Sequence, residues 1–174
     1  MTDVEGPNLA AHLVALMFAA DEPLTVADAA RVLGVRRTEV ERAIAALLES
    51  PPLGLIVQRH DDRLQLATDP ASAELIRRLR GLDRPVRLSR AALEVLALVA
   101  YRQPITRAEI EDIRGVNSDR ALATLLARGL MDEIGRKETV GRPILFGTTM
   151  ALLEHLGLRS LHDLPPLEPL APGS

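Results

Sequence analysis

The chain repeats itself. PLTVADAARVLGV, from Pro23 to Val35, aligns without a gap on PITRAEIEDIRGV, from Pro104 to Val116, each residue 81 positions from its match. Five of the thirteen pairs are identical, and Leu24/Ile105, Asp28/Glu109 and Val32/Ile113 are conservative. Self-similarity at a long fixed offset marks one supersecondary unit built twice, and 174 residues can hold two such small domains.

Each repeated block carries its own punctuation. An amphipathic helix precedes it, with Leu9, Leu13, Leu16 and Met17 on one face of the first and Leu93, Leu96, Ala97 and Ala100 on one face of the second. Thr25 with Asp28, and Thr106 with Glu109, have capping-box spacing, looser with the shorter Asp, and open a second helix. Gly34-Val35 and Gly115-Val116 close it, glycine tolerating the left-handed conformation a tight stop needs. A third helix follows, lined by Val40, Ile44, Leu47 and Leu48 after a cap at Thr38 and Glu41. In the second copy Leu122, Leu125, Leu126 and Leu130 line it, after Asn117 or Ser118.

Hairpins come next. GLIVQRHDDRLQLAT turns at Asp61-Asp62, and LMDEIGRKETVGRPILFGTT turns around a polar loop flanked by glycines. Three helices and a hairpin, twice, predict a mainly α chain with small β wings, that is, two tandem winged-helix domains. They are expected over residues 9–68 and 89–160, joined by a linker at 69–88 with a short helix through Leu75, Ile76 and Leu79 that Gly81 and Pro85 break. Residues 1–8 read as a disordered N-terminus. Residues 161–174, with four prolines in the last ten, read as an extended tail.

Composition bears on function mainly by exclusion. Apolar residues make up 47 % and aromatics 2 %, so the cores must be aliphatic. No cysteine is present, which rules out disulfides, thiol catalysis and thiolate metal sites. No apolar run reaches the roughly 18 residues of a membrane span, and MTDVEGPN does not read as a signal peptide, so a soluble cytoplasmic protein is expected. His12, His60, His155 and His162 are scattered without metal spacing, and His12 falls on the apolar face of the first helix. GRPILFGTT lacks the lysine of a phosphate loop. No catalytic, metal or cofactor site emerges.

A winged helix that reads DNA needs cations around its third helix for the phosphates. Here Asn117 to Arg128 has a balance of plus one, the wing from Met131 to Arg142 balances to zero, and Arg36 to Glu49 holds three Arg against three Glu. Reading heads this neutral favour gripping protein over duplex. The one basic accumulation is Arg77, Arg78, Arg80, Arg84, Arg87 and Arg90 at the joint, either a solvated face or a contact for nucleic acid or an acidic partner.

Three stretches carry a resemblance. LSRAALEVLALVAYRQPITRAEIEDIRGVNSD, then GRKETVGRPILFGTT, then LHDLPPL resemble the segregation and condensation protein B family of bacteria, and ALMFAADEPLTVADAARVLGV is similar more weakly; Phe146 stands where that family more usually has tyrosine. The resemblance implies a non-ATPase condensin subunit acting in chromosome condensation and segregation. It would be a homodimer that binds the kleisin, segregation and condensation protein A, and through it the structural-maintenance-of-chromosomes ATPase, with DNA association indirect or weak. The competing reading is a winged-helix transcription regulator. Kleisin-binding candidates are Arg102, Gln103, Leu130, Ile134, Arg136, Arg142, Ile144 and Phe146; dimer-interface candidates are Leu9, Leu13 and Met17.

Overall fold

The computed structural model describes residues 7–81 and 87–167. The first unit runs α1 (Pro7–Ala19), β1 (Leu24–Thr25), α2 (Val26–Leu33), α3 (Arg37–Glu49), β2 (Leu55–His60) and β3 (Arg63–Thr68). A 3-10 turn at Pro70–Ser72 and α4 (Ala73–Leu79) lead to the second unit. That unit comprises α5 (Arg90–Arg102), β4 (Ile105–Thr106), α6 (Arg107–Arg114), α7 (Asp119–Ala127), β5 (Met131–Arg136), β6 (Ile144–Thr148) and α8 (Met150–Leu156). Each unit has one antiparallel three-stranded sheet, ordered β1-β3-β2 and β4-β6-β5. The chain is two tandem winged helices, mainly α with small β wings.

The repeated block folds alike in both copies. Thr25 and Thr106 cap α2 and α6 with their hydroxyls, accepting from the N–H groups of Asp28 and Glu109 at 3.0 and 3.3 Å. Only the longer Glu109 completes the box by accepting from the Thr106 N–H at 2.8 Å. Gly34 and Gly115 both stop their helix at φ 69°, where a side chain would be strained. The α3 cap sits two residues before Thr38: Glu39 reaches back to the Arg36 N–H at 2.9 Å. The two-residue strands β1 and β4 tie the start of each second helix to its wing, pairing Leu24 with Leu64 and Ile105 with Phe146.

Two separate cores result, aliphatic but for Phe146 in the second. The first gathers Leu13, Val26, Val40, Ile44, Val57 and Leu64; the second gathers Val95, Val99, Ile110, Leu125, Phe146 and Leu152. The buried stripe of α5 is Ala92, Val95, Leu96 and Val99, so Leu93 and Ala97, expected inside, face outward. In a helix this rich in Leu, Val and Ala the apolar stripe is broad enough to be placed a residue off. His12, expected on the apolar face of α1, is exposed. Helix α1 begins at Pro7, inside the stretch expected to be disordered, and the tail expected to be extended opens with a 3-10 turn at Leu161–Asp163. Leu161 packs on the second core, and the Tyr101 hydroxyl donates to the Pro165 carbonyl at 2.5 Å.

The two units dock directly. Strand β2 is an edge of its sheet, and the turn after α8 covers it: the Arg59 N–H donates to the Arg159 carbonyl at 2.7 Å. Fully buried Gln58 donates its amide to the Leu158 carbonyl at 2.6 Å and accepts from Gln65 at 2.8 Å. His60 Nε2 lies 2.9 Å from Thr148 Oγ1, and the Arg159 guanidinium reaches the Leu48 carbonyl at 3.3 Å. Gly157 is required twice over. Its φ is 67°, and a Cβ there would lie 3.0 Å from Pro70 Cγ.

Candidate functional site

Three surfaces carry the residues singled out from the sequence. On α1, Leu9, Leu13 and Met17 lie in the first core, with Leu13 0 % exposed, so they are not dimer-contact residues in this conformation. They recur every four positions and lie on one side of the helix, and that side faces α3 and the wing. The outward side is also apolar: Ala11, Ala15, Ala19 and Phe18, the last 83 % exposed. A soluble helix normally turns charged and polar residues outward, and here exposed His12 is the one polar side chain beside these residues among those described.

On the second wing the kleisin candidates separate into three groups. Leu130 and Phe146 are core residues, and Ile144 packs against the core from a half-buried position. Leu130 closes the corner between α7 and β5, and Phe146 sits on the central strand, so both point inward. Gln103 is half-buried and already engaged, accepting from the Thr148 N–H at 2.6 Å and donating to its hydroxyl at 3.0 Å. The exposed group is Arg102, Ile134, Arg136 and Arg142, with Ile134 54 % exposed over Gly147. Arg102 lines a groove of 310 Å³ with Ile105, Glu109 and Ile113, whereas Arg136 and Arg142 lie at the wing tip.

Several charges around both third helices are paired within the chain, while Arg37, Arg42 and Arg120 stand exposed on the helices themselves. Arg36 pairs with Glu39, Arg59 pairs with Glu41 at 2.6 Å, and Arg107 bridges Glu111 and Asp119. Lys137 binds Glu109 at 2.6 Å. That ammonium, then the Thr106 N–H and hydroxyl, hold the Glu109 carboxyl down at about 2. The Arg114 guanidinium likewise lowers Glu94, and Arg59 lowers Glu41. Cations engaged this way have little to offer a phosphate backbone.

At the joint, Arg77 and Arg78 share Glu74, Arg90 pairs with Glu94 at 3.1 Å, and Arg80 and Arg87 are exposed; Arg84 lies outside the described residues. Among the described residues, no group of three His, Cys, Asp or Glu side chains is placed to hold a metal ion. No described helix is long and apolar enough to cross a membrane.

The family model for "Segregation and condensation complex subunit ScpB" matches residues 11–167. The chain belongs to that family. Segregation and condensation protein B of Symbiobacterium thermophilum is 49 % identical over 164 residues, covering 90 % of this chain and 72 % of the relative. The Moorella thermoacetica relative is 47 % identical over 167 residues, covering 94 % and 85 %. Among solved structures, ScpB from Mycobacterium tuberculosis is similar at 32 % identity over 90 % of this chain and 99 % of that one, with a TM-score of 0.43. A dimer of an ScpB N-terminal domain complexed with ScpA peptide matches at 28 % identity over 40 % of this chain and 91 % of that one, with a TM-score of 0.37.

For a segregation and condensation subunit, the residues that sequence reasoning missed are as informative as those it named. Phe18, on α1, and Leu75 and Leu79, on α4, are exposed aliphatic or aromatic side chains. Phe18 had a signal: it is one of two phenylalanines and interrupts a helix that is otherwise Ala, Leu, Val and Met around its last turns. Leu75, Ile76 and Leu79 mark the short linker helix in the sequence, and of the three only Ile76 is half-buried in the fold.

Proposed function

We propose that the chain is a non-catalytic subunit of a chromosome-condensing complex. It dimerises through the outward face of α1 and holds the kleisin, segregation and condensation protein A, thereby joining the structural-maintenance-of-chromosomes ATPase in chromosome segregation at cell division. It works in the cytoplasm, on the nucleoid through its complex. The observation that supports this reading is the pairing of cations around both third helices, where Arg36, Arg59, Arg107 and Lys137 each meet a carboxylate of the same chain and Arg37, Arg42 and Arg120 are left exposed on the helices. Binding to a duplex gains affinity when protein cations displace its condensed counterions, and four of the cations around these helices are already paired. Family membership agrees with a protein partner.

The dimer face moves from Leu9, Leu13 and Met17 to Phe18 with Ala11, Ala15 and Ala19, because only the second set is presented to solvent. Exposed Arg102, Ile134, Arg136 and Arg142 are the remaining kleisin contacts on the second wing. Light scattering and pull-down test both parts. The wild-type chain should elute as a dimer and retain purified kleisin, Phe18→Glu should elute as a monomer, and a random duplex should be bound weakly and without sequence preference. Tight binding to one particular duplex, with no retention of kleisin, would make it a winged-helix regulator.

A further inference from the structure

We propose that the cleft between the two domains, with the outward face of α4, seats an acidic amphipathic segment of the kleisin. This rests on the kleisin-holding reading above and adds a place for the contact. The cleft is a cavity of 510 Å³ with walls from both units: Ile56 and Leu66 from the first wing, Ile76 and Arg80 from α4, and Ala151 and Glu154 from α8. It exists only because the β2 edge and the turn after α8 hold the units together.

Two properties choose the occupant. The first is charge. The chain carries a net charge of −3, yet Arg77, Arg78 and Arg80 follow one another along and just after α4, with Glu74 as the one carboxylate on that helix. Arg77 and Arg78 divide Glu74 between them. The Arg80 guanidinium has no ion-pair partner among the described residues, so it is available for a bidentate contact with an incoming carboxylate.

The second property is apolar. Leu75 and Leu79, 65 % and 83 % exposed, stand one helical turn apart among those arginines. A phosphate backbone would leave both leucines wet. An amphipathic peptide covers the leucines with its own aliphatic side chains and brings carboxylates to the arginines. Ordering such a segment costs entropy that burial of the leucines and of the Ile56–Leu66 wall offsets.

The chain has no cysteine, so a single introduced thiol can be labelled cleanly. Leu79→Cys carrying a benzophenone should crosslink to purified kleisin in the full-length dimer, whereas Arg63→Cys at the tip of the first wing should not. The double variant Leu79→Ser/Arg80→Glu should bind kleisin at least tenfold more weakly, with the loss shrinking as salt rises, and Arg63→Glu should bind as wild type. All of these side chains are exposed, and an unchanged unfolding midpoint verifies that the fold survives. Retention of kleisin by wild type and double variant alike, with no crosslink at position 79, overturns this placement and leaves the holding function intact. Failure of wild type itself to retain kleisin overturns both. A loss confined to random duplex, with kleisin affinity unchanged, assigns the cleft to nucleic acid and overturns the proposal.

Discussion

The two copies secure the same joint by opposite means. In the second domain Arg114 ends α6 and reaches across the turn: its side chain is 9 % exposed, donates to Ser118 Oγ at 2.7 Å and pairs with Glu94 at 3.1 Å. Glu111 accepts from the Ser118 N–H at 2.9 Å and pairs with Arg107, which also pairs with Asp119. Eighty-one residues earlier, Leu33 stands where Arg114 does and Ala30 where Glu111 does, and both sit against the first core. One copy holds its helix-turn-helix with apolar contact, the other with a polar network at its rim. Repetition preserved the scaffold of caps, glycine stops and wings, while the surfaces were free to diverge. The first domain turns an uncharged α1 outward, and the second turns outward a lattice of paired ions.

Matched substitutions put that contrast under strain. Ile44 and Leu125 occupy equivalent sites 81 residues apart, 1 % and 0 % exposed, in the third helices. Replacing either by alanine should cost about 2–5 kcal/mol. Because the units share the β2 edge, urea unfolding followed by circular dichroism should shift one common transition in both variants. Two separated transitions would make the domains energetically independent.

Gln58→Leu should cost less, about 1–3 kcal/mol, by leaving the Leu158 carbonyl without its donor at the domain contact. A larger radius of gyration in X-ray scattering would accompany it, and an unchanged radius would show that the remaining contacts suffice. Arg114→Leu, which writes the first copy's solution into the second, should cost about 1 kcal/mol. No loss in equilibrium unfolding would mean that the network is dispensable for stability.

The smallest effect is on the acid limb. Glu109 has its folded-state pKa depressed to about 2 from 4.5, so its contribution is present above 4.5 and is lost as pH falls towards 2. Asp28, its counterpart in the first copy, is also lowered, through Arg31 first and then Thr25. Glu109→Gln should therefore flatten the stability-versus-pH curve below pH 4.5 more than Asp28→Asn does. Equal slopes in acid titration would erase this difference between the caps.

Much of the scaffold is written locally and could be read. Thr-x-x-Asp and Thr-x-x-Glu, the paired Gly-Val stops and the Asp61-Asp62 turn act over a few residues, and each appears in the folded chain. What escaped depends on contrast or on distance. Apart from Asn8 and His12, helix α1 is apolar all round, so its periodicity could not say whether Leu13 or Phe18 faces the core. Strands β1 and β4 are two residues long, too short for alternation to register. Helix α8 follows directly on a wing strand and is not among the elements expected from the sequence.

The candidate site suffered more, because docking between the domains uses backbone carbonyls. Leu158 and Arg159 present oxygen atoms that any residue would carry, 100 residues from their partners Gln58 and Arg59. Gln103 looked like a free polar residue at a domain edge until Thr148 was found 45 positions along the chain, within reach of its amide.

The covering of β2 by the turn after α8 has a consequence for how this polypeptide is made. The first unit is synthesised with one flank of its sheet bare, and roughly ninety more residues must emerge before Arg159 arrives to cover it. A ribosome that stalls, or a protease that cuts between the units, would release a half-molecule with an adhesive border, suited to pairing with another of its kind. Finishing the chain is therefore also what keeps its beginning from sticking.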